Sequence, residues 1–253
     1  MNLRIVTTGR GPDLVLLHGW GVGSGVWQSV AAKIDRRFRV HRVDLPGYDG
    51  EVDAIANTPA GTIEMLVARF PAAAVVCGWS LGAQYALQWA LSSPQGIGRL
   101  VLVAATPCFV RRAGWQHAME ASMLETFARD LAADPAATLR RFIALQAQGD
   151  GAARAVTREL QRQFRNELPQ PAALAAGLQM LRTTDLRKQI PAVTQPALVL
   201  HGDRDGITPP AAGAWLTQAL PKGKWSVFSG AAHAPFLSQP QIFVERLLEF
   251  CDE

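Results

Sequence analysis

Gly78-Trp79-Ser80-Leu81-Gly82 sets one serine between two glycines, where an apolar run at 73–78 gives way to a helical run at 81–91. A serine hydroxyl is a weak nucleophile until a neighbouring base takes its proton. A sharp strand-to-helix turn lifts such a hydroxyl clear of the backbone. It leaves no room for side chains two residues away, and it offers a helix N-terminal N–H to a developing oxyanion. The partners of such a serine follow in the order acid, then histidine. HGDRDGITP (201–209) closes an apolar run at 197–201 with two carboxylates, and Gly206 permits a tight turn beyond them. Asp205 is the preferred acid, with Asp203 as a turn or salt-bridge residue and the alternative. His233, in SGAAHAPF (229–236), is the one histidine between a late strand and the terminal helix. The expected chemistry is acyl transfer: His233 takes the Ser80 proton, Asp205 orients the imidazole, and an acyl-enzyme forms and is hydrolysed.

The second oxyanion donor should come from the loop after an earlier strand, His18-Gly19-Trp20-Gly21, so the backbone N–H groups of Trp20 and Leu81 are the candidates. The Trp20 ring is expected to wall the pocket and His18 to brace the loop. Gly19-x-Gly21-x-x-Ser24, with Asp44 beyond it, is a near miss to a dinucleotide fingerprint. Serine stands at its sixth position, so no cofactor is expected.

These residues need a frame. Leu14–Leu17 is a continuous apolar run of the kind buried on both faces of a parallel sheet. Further strands are expected at 38–43, 73–78, 100–104, 197–201 and 225–228. Helices are expected at 24–34, 63–70, 81–91, 211–220 and 242–250, and residues 48–60 as a loop. Strands alternating with helices predict a mostly parallel sheet flanked by helices. Strand signals vanish from 109 to 188. Residues 1–107 and 190–253 are therefore expected to form an α/β core, and 108–189 a helical lid.

The chain has 253 residues, of which 49% are hydrophobic and 18% charged, enough for one large domain and too apolar for disorder. Cys77, Cys108 and Cys251 lack metal-ligand spacing and read as reduced thiols. No histidines are paired at i,i+3 or i,i+4, so no metal is expected. No secretory signal or membrane-length run stands out, and a cytoplasmic monomer is expected, with no membrane partner.

The net charge of +4 has one source: residues 109–188 hold 12 Lys+Arg against 8 Asp+Glu, while the rest is balanced at 13 and 13. In RAVTRELQRQFR, arginines 154, 158, 162 and 165 fall at roughly 0°, 40°, 80° and 20° around a helix, with Glu159 near 140°. Four like charges on one stripe repel by a few tenths of a kcal/mol per pair, which an anionic partner would offset; a solvated helix face is the alternative. The stripe is short and lacks interleaved aromatics, so nucleic acid is not expected.

HGWG, GWSLG, HGDRDG and AAHAPF together resemble the α/β-hydrolase fold over essentially the whole chain. LVLLHGWG, VDLPG, GWSLG, TPCF, RFIALQAQG and AAHAPF are similar to the pimeloyl-acyl-carrier-protein methyl ester esterases of biotin synthesis. RFIALQAQG is the most discriminating of these, because lids diverge fastest between hydrolase families. The resemblance implies a carboxylesterase that releases methanol from a carrier-bound ester, with acyl carrier protein as partner. It carries nucleophile, acid and base to Ser80, Asp205 and His233. It carries substrate contacts to Trp20, Ser80, Leu81, Phe142, Ile143, Ala144, Leu145, Gln146 and His233. Carrier-docking arginines map to Arg141, Arg154 and Arg158, with Arg140 and Arg162 as further candidates. A fourth family arginine aligns with Ala137, and the loop at 47–53 lacks the usual Gly-x-Gly-x-Ser pattern. The alternatives are a generalist short-chain carboxylesterase or carbon–carbon bond hydrolase, and a ligand-binding protein on the same fold. Haloalkane and epoxide hydrolases are disfavoured because they carry Asp where Ser80 stands.

Overall fold

The computed structural model describes residues 3–48, 58–163 and 168–253. Among the described residues, seven strands form one sheet in the order β1-β3-β2-β4-β5-β6-β7. They are β1 (Ile5–Gly9), β2 (Asp13–Leu17), β3 (Arg39–Val43), β4 (Ala73–Trp79), β5 (Ile97–Val103), β6 (Ala197–Gly202) and β7 (Gly223–Phe228). Every neighbouring pair is parallel except β1 with β3.

In β2, Leu14 and Leu16 join one hydrophobic core while Val15 and Leu17 join the other, so the strand is apolar on both faces, as a central parallel strand requires. One core takes side chains of α2 (Pro59–Arg69), α3 (Leu81–Ser92) and α8 (Pro210–Ala219). The other takes α1 (Gln28–Ile34) and α10 (Pro240–Asp252), whose Phe243 lies near Trp27 and Phe236. Trp27 and Phe236 stack with ring centroids 4.1 Å apart, an arrangement that adds about 1 kcal/mol to their burial.

Four helices, α4 (Ala121–Ala133), α5 (Pro135–Gln146), α6 (Ala153–Arg162) and α7 (Pro171–Thr183), lie between β5 and β6 in the chain. The ends of this segment meet: Leu186 N–H donates to the Pro107 carbonyl at 2.9 Å, and Cys108 bridges Asp185. Leu124 of α4 and Leu178 of α7 pack into the α2/α3 core, whereas Val156 and Leu160 of α6 pack into the α1/α10 core. The helical segment therefore rests on both layers.

Several elements depart from the sequence expectation. β1 was not expected. It is an antiparallel edge strand with a half-exposed, polar sequence, IVTTG, so it carries no continuous apolar signal. α2 starts at Pro59, four residues before the expected start, because the Thr58 hydroxyl caps it by accepting the Gly61 N–H and proline suits the first turn. The expected 24–34 helix divides into a 3-10 turn at Ser24–Trp27 and α1. A short helix, α9 (Pro235–Ser238), follows the His233 loop.

Candidate active site

β4 ends at Trp79 and α3 begins at Leu81, so Ser80 is the single residue between strand and helix. Its backbone lies at φ 55° and ψ −114°, a conformation that costs a non-glycine residue of order 1–3 kcal/mol. Close backbone packing holds it there. A Cβ on Gly78 would stand 2.3 Å from the Gly82 carbonyl oxygen, and one on Gly82 would stand 2.5 Å from that of Leu17. Ser80 N–H donates to the Val103 carbonyl at 2.9 Å, and its own carbonyl accepts the Ala83 N–H at 3.0 Å. Leu81 opens α3, so its N–H belongs to the first turn, whose donors the helix itself leaves free.

Asp205 sits in the loop after β6, 5% exposed, with three hydrogen-bond donors on its carboxylate and His201, whose Nε2 donates to the Thr208 carbonyl at 2.8 Å, close beside it. One oxygen accepts the N–H groups of Ile207 and Thr208, both at 2.9 Å. The other lies 2.8 Å from His233 Nδ1 and 3.3 Å from His201 Nε2. Burial alone would raise the pKa of this carboxyl. The attraction of His233 and His201 and the hydrogen bond from His233 outweigh burial and hold it below the ordinary carboxylate range. A carboxylate accepts, so His233 Nδ1 carries the hydrogen and Nε2 is left as the basic nitrogen.

The His233 backbone is fastened from two sides. Its carbonyl accepts the indole N–H of Trp79, the residue before Ser80, at 2.8 Å. Its N–H donates to the Gln146 carbonyl at the end of α5, at 3.2 Å. Next to it, Ala232 N–H donates to Asp150 at 2.7 Å, and Gly151 N–H to the Gly230 carbonyl at 2.8 Å. The turn after α5 thus braces the histidine loop. Asp150 and His201 were not singled out from the sequence. Asp150's partner is 82 positions away, and the motif HGDRDG holds His201 without showing which side it faces. Asp203 turns elsewhere: exposed, it accepts from Gly230 N–H at 2.7 Å and the Ser229 hydroxyl at 3.2 Å.

His18 braces its loop. Its Nε2 accepts the Leu45 N–H at 3.0 Å, so Nδ1 donates to the Gly19 carbonyl at 2.9 Å, and burial pushes its pKa down. Trp20 donates its indole N–H to the Leu174 carbonyl in α7 at 2.9 Å and meets Phe127 and Phe142 edge to face.

A cavity of about 100 Å³ lies at Ser80, walled by Trp20, Phe109, Phe127, Phe142, Leu124 and Leu178. Apart from the hydroxyl its lining is apolar, suited to an acyl chain rather than a charged group. Met123 and Leu145 also line it and are 60% and 49% exposed, which marks its mouth. The expected contact run 142–146 divides. Phe142 and Leu145, three apart on α5, reach the cavity. Ile143 is buried in the α1/α10 core, Ala144 faces solvent, and Gln146 acts through its carbonyl on His233.

On the outer face of the helical segment, Arg154, Arg158 and Arg162 are exposed, opposite the buried Val156 and Leu160 of α6. Arg162 pairs with Glu159 at 2.8 Å, since 60° of helix does not separate i,i+3 neighbours, and Arg141 pairs with Asp130 of α4 at 2.9 Å. Arg140, Arg154 and Arg158 have no acidic partner among the described residues. Arg165 and the loop positions 49–53 lie outside the described residues. Ala137 sits in the first turn of α5, where its N–H donates to Asp134 at 2.9 Å. No helix among the described residues is long and apolar enough to cross a membrane, and they contain no cluster of three potential metal ligands.

The family model for the alpha/beta hydrolase fold matches residues 12–240. A pimeloyl-[acyl-carrier protein] methyl ester esterase of Nitrosomonas europaea is 46% identical over 244 residues, covering 96% of this chain and 97% of that protein. Its counterpart from Nitrosospira multiformis is 38% identical, covering 99% and 98%. Among solved structures, an esterase from Exiguobacterium antarcticum superimposes with a TM-score of 0.90 at 21% identity, covering 99% of this chain and 96% of that one, a likeness of fold.

Proposed function

The chain belongs to the α/β-hydrolase fold family and, within it, to the pimeloyl-[acyl-carrier protein] methyl ester esterases, and from that premise we propose that it hydrolyses the methyl ester of pimeloyl-acyl carrier protein, through Ser80, His233 and Asp205. The observation that carries the residue assignment is the buried Asp205–His233 hydrogen bond of 2.8 Å, fastened through Trp79 to the strained turn at Ser80.

His233 Nε2 takes the hydroxyl proton as Ser80 Oγ attacks the ester carbonyl carbon. The backbone N–H groups of Trp20 and Leu81 receive the negative charge on the carbonyl oxygen, the term that usually contributes most to such catalysis. Collapse breaks the bond to methoxide, which leaves as methanol with the proton from His233. Water then attacks the acyl-enzyme, His233 taking its proton and returning it to Ser80 Oγ. Asp205 keeps Nδ1 protonated and stabilises the imidazolium of each step. The chain runs from Ser80 through the apolar cavity to the mouth at Met123 and Leu145. Residues 108–189 serve as its lid, with Phe142 and Leu145 as their main contribution to the chain. Arg140, Arg141, Arg154, Arg158 and Arg162 attract the acidic carrier to the lid exterior. The enzyme works without cofactor, as a cytoplasmic monomer.

The test is hydrolysis of methyl-pimeloyl-acyl carrier protein, followed by mass spectrometry beside a p-nitrophenyl ester. Rapid demethylation of the carrier-bound ester supports the reading. Turnover of the aryl ester alone would overturn it in favour of a generalist esterase.

A further inference from the structure

The cavity at Ser80 is lined by residues of both α4 and α7. Leu124 of α4 and Leu178 of α7 are among them, and the same two side chains line a second space of about 830 Å³ behind them. That groove runs between α4 and α7. Small side chains, Ala128, Ala132 and Ala175, keep it open, Leu131 and Leu174 give it apolar walls, and Arg129 and Arg182 stand among its lining residues. Leu124 and Leu178 are 4% and 7% exposed, so each fills the contact between the two spaces. Leu124 and Leu178 are thus walls common to both spaces.

We propose that Leu124 and Leu178 are specificity-determining residues: they close the acyl site off from the α4–α7 groove, so that a chain too long for the cavity can leave only through the mouth at Met123 and Leu145 and finds no further apolar wall. The groove is the direct continuation of the acyl cavity, and its occupant, once the partition is thinned, is the distal part of a longer acyl chain. Each methylene that moves from water onto such apolar walls favours binding by roughly fourfold. A chain stopped at the leucines gains nothing from methylenes it cannot bury, and one that passes them gains along the groove. The inference rests on the reading of the Ser80 cavity as the acyl site.

The experiment compares kcat/KM for p-nitrophenyl butyrate, octanoate and dodecanoate in the wild type, Leu124→Ala, Leu178→Ala and the double variant. The dodecanoate-to-butyrate ratio should rise at least about tenfold in the variants, most in the double variant. Adding Ala175→Leu to Leu178→Ala should lower it again by refilling the groove. Leu178→Phe should thicken the partition and shift the cut-off to shorter chains. A general loss of packing would depress all three esters together and leave the ratio unmoved. An unchanged ratio in variants that still melt cooperatively overturns the proposal; should the alanine variants not fold, an unchanged ratio in Leu124→Val, Leu178→Val and Leu178→Phe does the same. Ser80→Ala in the same assay separates the two failures. Residual hydrolysis there defeats the assignment of the site, whereas Ser80-dependent turnover with an unmoved ratio defeats the partition alone.

Discussion

The loops at the ends of β4, β6 and β7 and the helical segment between β5 and β6 solve different problems. In the loops, single hydrogen bonds hold single atoms: His233 donates to Asp205, Trp79 to the His233 carbonyl, and Ile207 and Thr208 to the remaining carboxylate oxygen. In the helical segment, position comes from area, through leucines set into two separate cores and arginines left in water. Bond-making requires geometry good to a fraction of an ångström, whereas choosing a chain or a carrier requires shape and charge spread over many residues. The turn at 146–151 crosses this division, because its Gln146 carbonyl and Asp150 carboxylate hold the histidine loop. The helical segment is thus hydrogen-bonded to the histidine loop.

The comparison is tested hardest at the loops. Ser80→Ala should lower kcat for any ester by at least about 10⁴-fold; activity within tenfold of wild type would remove the assignment of the nucleophile. Asp205→Asn should cost about 10³- to 10⁴-fold through the wrong histidine tautomer, and Asp203→Asn less than about fivefold. The reverse order in steady-state kinetics would exchange their roles.

On the outer face of the helical segment, Arg154→Glu with Arg158→Glu should lower kcat/KM for the carrier-linked ester by about 30-fold and weaken its salt dependence. A small aryl ester should be unaffected, and equal losses on both substrates would return these arginines to a solvated face. Asp150→Ala tests the crossing point. It should lower kcat about tenfold on carrier-linked and small esters alike, by freeing the histidine loop. A loss confined to the carrier-linked ester would show that the lid acts only through docking.

The smallest effect concerns stability. Asp205 has a folded pKa below its unfolded value of about 3.9, so its charge stabilises the fold above that pH and the contribution is lost as pH falls through the folded value. The melting advantage of the wild type over Asp205→Asn should therefore be full above about pH 5 and shrink below pH 4. A pH-independent difference would mean that the carboxylate is not held by its partners.

By itself, the sequence determined the parallel sheet, the strand-to-helix turn at Ser80, the loops that carry Asp205 and His233, and the place of the helical segment. Each of these is local: apolar runs, glycines at fixed spacing and residues just past strand ends report backbone constraints within a few positions. It showed two carboxylates just past the strand at 197–201, and only the tertiary structure decided that Asp205 meets His233 while Asp203 ties β6 to the next turn. The family resemblance offered the run 142–146 as a unit, and the helix dealt those side chains to the cavity, the core and the solvent. β1, the Asp150 brace, the Glu159–Arg162 pair and the leucine partition were not legible. The edge strand is half solvated. The brace and the partition join residues dozens of positions apart, and Glu159 and Arg162, though close in sequence, meet only through side-chain rotamers. Such contacts arise only once the chain has folded, because they depend on which surfaces the sheet brings face to face.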